Sequence, residues 1–151
     1  MVAAQDSRVT VITGGGSGMG RATAVRLAQR GDSVCICDLK EDGINESAEL
    51  IRSAGHTAYT GIVDVRNQAQ VQAWIAEVIG KFGKIDCLFS NAGLNARATV
   101  ADMTLAQWSL LIDTHVTGTF NFCQAVLRNM VERNSGSIVI TSSDFAIVGV
   151  P

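Results

Sequence analysis

The chain reads TGGGSGMG at residues 13–20, a glycine-rich stretch between a β-branched run and an amphipathic run. The run before it, residues 8–13, predicts a strand, and the run from about Gly18 to Arg30 predicts a helix that ends at Gly31. Glycines in a strand-to-helix turn let the backbone approach a ligand closely, and the N–H groups at the helix start attract anions. This context favours a pyrophosphate-binding turn over a flexible loop.

Short apolar runs alternate with longer amphipathic runs through the rest of the chain. The further predicted strands are residues 33–37, 57–62, 85–90 and 137–141, and the further predicted helices are residues 42–53, 68–82 and 104–132. Core positions are expected at Ile44, Ala48, Ile51, Val71, Ile75, Val78, Ile79 and Phe82. Such alternation predicts an α/β fold of the Rossmann type, in which about five parallel strands form a doubly wound sheet with helices on both faces. Residues 1–151 are expected to form one domain.

Composition narrows the class of partner. Hydrophobic residues make up 47% of the 151 and charged residues 17%, with a formal net charge of -2, which argues against disorder and against electrostatic binding of nucleic acid. A small-molecule partner is expected. The chain shows neither a signal peptide nor a membrane-spanning apolar run, so a cytoplasmic location without membrane contact is also expected.

The spacing of the four cysteines does not indicate a metal-binding or redox site. Cys35, Cys37, Cys87 and Cys123 form neither a metal knuckle nor a Cys-x-x-Cys pair. We expect reduced thiols that pack in the interior, and no metal site.

An acidic residue, Asp38, ends the second predicted strand. A carboxylate at this point accepts hydrogen bonds from the ribose hydroxyls of NAD and repels the 2′-phosphate of NADP. Lys40 lies two residues further on and partly softens that repulsion. The sequence therefore favours NAD, with NADP the weaker alternative, and capping of the next helix is a second role that Asp38 can fill at the same time.

The spacing Gly14-x-x-x-Gly18-x-Gly20 after Thr13 resembles the cofactor turn of the short-chain dehydrogenase/reductase family. Further stretches resemble motifs of that family in the same order: Asp64-Val65, Asn91-Ala92-Gly93, Gly136-Ser137-Ile138-Val139 and Ser142-Ser143. The resemblance extends over almost the whole chain. It implies reversible hydride transfer between a nicotinamide cofactor and a ketone or secondary alcohol.

The resemblance also implies a set of cofactor-binding residues. Asp64 and the Val65 backbone are expected beside the adenine, and Asn91 to Gly93 beside the ribose. The full set consists of Thr13, Gly14, Gly16, Ser17, Gly18, Met19, Gly20, Asp38, Leu39, Asp64, Val65, Asn91, Ala92 and Gly93.

Two candidate catalytic residues follow from the same resemblance. Ser143 matches the family serine whose hydroxyl holds the substrate oxygen, although Ser142 and Ser143 taken alone would be ordinary turn hydroxyls. His115 stands seven residues after Trp108, where the family has a catalytic asparagine. An imidazole nitrogen either donates or accepts, whereas an amide does both, and a lone helical histidine also fits a packing or surface role.

The family's Tyr-x-x-x-Lys pair would fall at about positions 156 and 160, beyond Pro151. The one tyrosine present is Tyr59, and Val63 stands four residues after it. The chain is therefore expected to lack turnover, and to lack the last strands of the family fold. Residues 104–132 are then incompletely covered at Leu110, Leu111, Phe120, Val126 and Leu127, which favours a homo-oligomer formed through this helix.

Three hypotheses follow. The chain is the amino-terminal part of an oxidoreductase, a binding module that holds NAD without chemistry, or a fragment that folds poorly because it buries too little core.

Overall fold

The computed structural model describes residues 7–96 and 98–143. Its strands are β1 (Val9–Thr13), β2 (Ser33–Asp38), β3 (Ala58–Ile62), β4 (Cys87–Ser90) and β5 (Ser137–Ile140). Its helices are α1 (Gly18–Gln29), α2 (Glu41–Ser53), α3 (Gln68–Phe82), α4 (Leu105–Ile112) and α5 (Gly118–Glu132), with a π-helical turn (Asp113–Thr117) between α4 and α5.

The strands form one parallel sheet in the order β3-β2-β1-β4-β5. Val11 at the centre of β1 is aligned with Cys35 on one side and with Leu88 on the other. The chain thus moves outward from β1 to β3, then crosses to the other side of β1 and moves outward again. Such a reversal opens a crevice between the loops after β1 and β4, at the carboxyl edge of the sheet. The predicted fold class is confirmed.

Each face of the sheet has its own core. On one face, α1 and α2 cover β1 and β2 through Ile12, Ala24, Ala28, Val34, Ile36, Ile44 and Ile51. On the other face, α3 and α5 cover the sheet through Val9, Val11, Cys35, Cys37, Leu88, Val71, Trp74, Ile75, Val78, Phe122, Val126 and Met130. Near-continuous apolar strands are expected where helices cover both faces of a parallel sheet.

Two details of the predicted core are wrong. In α2 the buried residue between Ile44 and Ile51 is Ser47, fully inaccessible to solvent, while Ala48 is only half-buried. In α5, Val126 is also fully buried, because it packs onto the sheet with Phe122 and Met130. Leu110, Phe120 and Leu127 are exposed as expected.

The predicted helix over residues 104–132 is interrupted. Thr104 caps α4 with a complete capping box in which its side chain accepts from Gln107 N and its own N–H donates to the Gln107 side chain. The helix then widens into the π-helical turn before α5 continues. Self-association through this helix stays a prediction. No described helix is long and apolar enough to cross a membrane.

At the end of the sheet opposite the crevice, where the strands begin, one carboxylate binds several neighbouring groups. Asp86 precedes β4 and accepts from Val9 N at 2.9 Å, from Arg133 Nη2 at 2.5 Å and from Lys84 Nζ at 3.1 Å. Burial of this carboxyl opposes its ionisation, but the Val9 amide and the two cations outweigh burial, so that the pKa of Asp86 lies below its ordinary value. Asp86 thereby connects β1, β4 and the end of α5.

We expect Asp86→Asn to lower the free energy of unfolding at pH 7 by about 1–3 kcal/mol, because hydrogen bonds to a charged group are lost. Since the folded-state pKa is depressed, this stabilisation is present above the unfolded pKa of about 4 and fades as the pH falls through the lower folded value. Urea unfolding of both proteins at several pH values measures the difference.

The control is Glu132→Gln, which removes an exposed carboxylate at the end of α5 and should change stability by less than about 0.5 kcal/mol. A difference between wild type and Asp86→Asn that does not shrink in acid would contradict the assigned role.

Candidate functional site

The glycine turn connects β1 to α1 at the carboxyl edge of the sheet. Gly14 has φ +67° and Gly18 has φ +50°, a left-handed conformation that favours glycine. A Cβ on Gly14 would also lie 2.9 Å from Ala92 Cα, in the loop after β4. Position 14 therefore requires glycine, because the backbone there is left-handed and because Ala92 leaves no room for a side chain.

The other glycines allow close packing of the turn. A Cβ on Gly15 would lie 2.7 Å from Ile36 Cβ in β2, and a Cβ on Gly16 would lie 2.9 Å from Asp38 Oδ2. A Cβ on Gly20 would overlap the carbonyl oxygen of Gly14. The turn is thus pressed against β2, α1 and the loop after β4, and its outer side remains exposed at Ser17, Gly18 and Met19.

Polar side chains hold the carbonyl groups of the turn on its inner side. The one proton of the buried Ser47 hydroxyl is shared between the Gly15 carbonyl oxygen at 2.8 Å and the Gly43 carbonyl oxygen at 3.0 Å. The same hydroxyl accepts from Arg21 Nε at 3.0 Å. Arg21 also donates through Nη2 to the Gly16 carbonyl and forms an ion pair with Glu46 at 2.7 Å. The first N–H groups of a helix have no intrahelical partner, and Ser17 makes no side-chain hydrogen bond to those of α1. Because this end of α1 is exposed, it forms an anion-binding pole.

Asp38 lies beside this pole. Its Oδ2 accepts from Gly16 N at 3.0 Å and its Oδ1 from Lys40 N at 3.2 Å. Among the described residues no side chain accepts from the first N–H groups of α2, which begins at Glu41. Asp38 binds the amide of the preceding Lys40 instead, so it is not a cap of the first turn of α2. Leu39, 60% exposed, follows it at the mouth of the crevice.

The loop after β3 carries Asp64 and Val65. Gln70 Oε1 accepts from the Asp64 amide at 3.0 Å, and Asn121 Nδ2 donates to the Val65 carbonyl at 2.9 Å. The side-chain hydrogen bonds of Arg66 lower the pKa of Asp64 below its ordinary value, although burial opposes them. This loop is therefore held rigidly with an ionised carboxylate at its surface.

The loop after β4 is tied to the end of β1. The Thr13 hydroxyl accepts from both Asn91 N and Ala92 N at 2.9 Å. The Asn91 side chain donates to the Thr13 carbonyl at 3.3 Å and accepts from Thr141 Oγ1 at 3.1 Å. Asn91 thus connects the middle of the crevice to the end of β5.

His115 lies in the π-helical turn and contacts the same loop. Its Nε2 is 2.8 Å from the Leu94 carbonyl oxygen, and a Cβ on Gly93 would lie 2.6 Å from its Cε1. The Leu94 amide lies 3.3 Å from the same nitrogen. The carbonyl contact needs a proton on Nε2 and the amide contact needs a lone pair there, so the tautomer of His115 decides which of the two hydrogen bonds forms. π-helical turns are frequent at functional sites.

Ser142 and Ser143 follow β5 at its carboxyl end and are exposed. The loop from Asn91 to Leu94 contacts both the strand end that carries them, through Thr141, and His115. The two candidate catalytic residues therefore flank one loop, on the side of the crevice away from Asp38.

Several residues that support the site were not predicted from the sequence: Arg21, Ser47, Arg66, Gln70 and Asn121. The one available signal was at Ser47, a polar residue at the spacing of the apolar positions Ile44 and Ile51. The other four support the site through contacts between residues distant in sequence, or through loop geometry, which periodicity does not report.

Tyr59 lies away from the crevice, in β3. Its hydroxyl donates to Glu77 Oε2 at 2.8 Å, and this hydrogen bond, aided by burial, raises the pKa of Tyr59. A proton-transferring tyrosine needs a lowered pKa, so Tyr59 does not fill that role.

The thiols are packing groups in the described part of the chain. All four cysteines are free, and three of them are buried: Cys35, Cys37 and Cys87. Burial raises the pKa of Cys35 to about 12. Among residues 7–96 and 98–143, no group of three His, Cys, Asp or Glu side chains is arranged to hold a metal ion.

A glycine turn, an acidic residue at the end of β2 and a reversal of strand order define a dinucleotide-binding fold. A sequence model of the short chain dehydrogenases matches residues 8–151. The chain therefore belongs to the short-chain dehydrogenase family.

A relative with a known activity is similar over almost the whole of this chain. Levodione reductase of Leifsonia aquatica is 36% identical over 146 residues, which are 95% of this chain and 55% of the relative. The chain thus spans little more than half the length of this relative.

Two solved structures resemble the fold closely. NAD+-bound xylitol dehydrogenase superposes with a TM-score of 0.91 at 34% identity, covering 95% of this chain and 56% of that structure. The F189W actinorhodin polyketide ketoreductase with NADPH superposes with a TM-score of 0.94 at 34% identity, covering 98% and 57%.

We expect Ser47→Ala to lower the free energy of unfolding by about 1–3 kcal/mol, because the Gly15 carbonyl and Arg21 Nε both lose a buried partner. Thermal or urea unfolding followed by circular dichroism measures the loss. The matched control is Ser53→Ala at the exposed end of the same helix, for which the change should stay within about 0.5 kcal/mol. Equal effects of the two substitutions would refute the role given to Ser47.

Proposed function

We propose that this chain is the cofactor-binding part of an NAD(H)-dependent short-chain dehydrogenase that interconverts a secondary alcohol and a ketone. The observation that carries the proposal is the outward-facing start of α1, with the Asp38 carboxylate held beside it by the Gly16 amide at 3.0 Å. A pyrophosphate fits the former, and ribose hydroxyls fit the latter.

The described residues fit the rest of the cofactor in order along the crevice. Exposed Met19 and Leu39 border the pyrophosphate and adenosine positions. At the adenine end, the Asp64 carboxylate would accept a hydrogen bond and the Val65 N–H would donate one. The loop from Asn91 to Gly93 would lie beneath the second ribose. Gly93 also leaves room for the His115 imidazole.

Preference for NAD rests on charge. The Asp38 carboxylate would lie close to the 2′-phosphate of NADP, and Lys40 is the nearest cation in the sequence. Both Asp38 oxygens are already bound by backbone amides, so the carboxylate does not turn away from an incoming phosphate. The similar structures include one with NAD+ and one with NADPH, so the preference is a proposal from the residues of this chain.

The bound nicotinamide ring supplies the hydride chemistry, so that an alcohol and NAD+ give a ketone, NADH and a proton. The Ser143 hydroxyl holds the substrate oxygen, and the His115 imidazole keeps the Leu94 carbonyl, and with it one wall of the substrate site, in place. Transfer of the proton to or from the substrate oxygen requires a tyrosine whose pKa is lowered, whereas the pKa of Tyr59 is raised.

Asp38→Asn should raise the affinity for NADPH relative to NADH by about tenfold, because the substitution removes the charge and keeps an oxygen for the Gly16 amide. Fluorescence titration of the purified chain with each reduced cofactor measures the ratio.

The matched control is Asp32→Asn, the same change at the opposite end of β2, which should leave the ratio unaltered. If the folded wild-type chain binds neither cofactor, the proposed function fails. If Asp38→Asn leaves the ratio unchanged, the assigned basis of NAD preference fails.

A chain that ends at Pro151 should bind NADH without turnover, because it holds no tyrosine suited to proton transfer. The absorbance of reduced nicotinamide, followed with NAD+ and a panel of secondary alcohols, tests this expectation. A longer chain that carries the family's Tyr-x-x-x-Lys pair should show turnover that Ser143→Ala strongly reduces. Turnover by the 151-residue chain would overturn the expectation, and a chain without a cooperative unfolding transition would favour the unstable-fragment hypothesis.

A further inference from the structure

Arg21, in the first turn of α1, binds the glycine turn from its inner side. Its Nη2 donates to the Gly16 carbonyl and forms the 2.7 Å ion pair with Glu46. Its Nε donates to the Ser47 hydroxyl, and its backbone N–H donates to the Ser17 carbonyl at 3.0 Å. Arg21 thus binds two successive carbonyl groups of the turn, and α2 holds its guanidinium in place.

These contacts fix the direction of the Ser17 N–H. A trans peptide unit is planar, so its C=O and its N–H point in opposite directions. The Gly16 carbonyl and the Ser17 N–H belong to one such unit. Because Arg21 holds the Gly16 carbonyl on the inner side, the Ser17 N–H points to the outer side, where Ser17 is exposed. The turn therefore presents an N–H to a ligand at this point rather than a carbonyl oxygen.

The preceding peptide unit is held by other side chains. It contains the Gly15 carbonyl, which accepts from the Ser47 hydroxyl, and the Gly16 N–H, which donates to Asp38 Oδ2 at 3.0 Å. Rotation of the unit between Gly16 and Ser17 would leave both of these hydrogen bonds intact. The Arg21 side chain therefore orients one peptide unit of the turn, and the unit that binds Asp38 is oriented independently of it.

We infer that Arg21 is a positioning residue for the negatively charged part of the cofactor, because it keeps the Ser17 N–H outward and the Gly16 carbonyl oxygen away from the ligand. This inference rests on the proposed function, which places the pyrophosphate at this turn. Without Arg21 the buried Gly16 carbonyl loses its donor and turns toward water, so that its oxygen approaches and repels the phosphate oxygens. The Gly16 N–H stays on Asp38, so the ribose is still bound.

The test compares NADH, which carries a pyrophosphate, with adenosine, which has the same base and ribose but no phosphate. NADH is titrated by fluorescence into the purified, folded chain, and the affinity for adenosine is measured by its displacement of NADH. Arg21→Ala should lower the affinity for NADH relative to adenosine by about tenfold, since a hydrogen bond to a charged group is lost. Equal losses for the two ligands would show a merely structural role and would overturn the inference, as would no loss for either.

Two further variants and a change of salt separate orientation from folding and from charge. Arg21→Gln keeps a donor at the position of Nε, within reach of Ser47, but is too short to reach the Gly16 carbonyl, so the ratio of the two affinities should fall as in Arg21→Ala. Arg26→Ala removes the same charge from an exposed position of α1 and should leave the ratio unchanged. The loss in Arg21→Ala should persist in about 0.5 M salt, which screens exposed charges. A loss that disappears there would assign the effect to charge and overturn the positioning role.

Failure of the inference is distinguishable from failure of the proposed function by a measurement on the wild-type chain. Absence of NADH binding by the folded chain overturns the proposed function. Where NADH binds, the amide resonance of Ser17 in a proton–nitrogen correlation spectrum should shift on addition of NADH and change little on addition of adenosine. A Ser17 amide that responds no more to NADH than to adenosine overturns the inference alone.

Discussion

The Thr13 hydroxyl, 1% exposed, accepts two backbone amides of the loop after β4, and the rest of the crevice depends on this contact. It uses both lone pairs of one oxygen to join the end of β1 to the strand on the far side of the reversal in strand order. Gly14 can then lie against Ala92, and the loop that follows is held where His115 and Thr141 both bind it. One buried hydroxyl thus sets the spacing between the cofactor turn and the candidate catalytic residues.

The two cofactor-binding loops use the same physical arrangement. In the glycine turn, Ser47 and Arg21 bind the carbonyl oxygens and leave the first N–H groups of α1 outward. In the loop after β3, the Asn121 side chain likewise donates to the Val65 carbonyl oxygen. In both loops, side chains behind the backbone orient it, so that donors face the side from which an electron-rich ligand arrives.

The sequence predicts the strands, helices and glycine turn because these depend on local periodicity and on glycine spacing. It fails where tertiary contacts decide: Ser47 takes the buried position expected for Ala48, and Val126 is covered by the sheet itself. His115 was selected only through its place in a family motif, and its bond to Leu94 becomes visible only when two segments 21 residues apart meet. Arg66 gave no signal, since an exposed arginine in a loop is ordinary until its fork on Asp64 is seen.

The π-helical turn has a consequence for the direction of α4. Such a turn contains one more residue than an α-helical turn, so it shifts the angular phase of the helix by about 100°. On α5 the side chains of Phe122, Val126 and Met130 are buried, whereas α4, on the other side of the shift, buries none of its residues. Losing or gaining one residue between Asp113 and Thr117 would rotate Trp108 about the helix axis while α5 kept its packing. The direction of the exposed α4 side chains can therefore change in a relative of this chain without any change to the core.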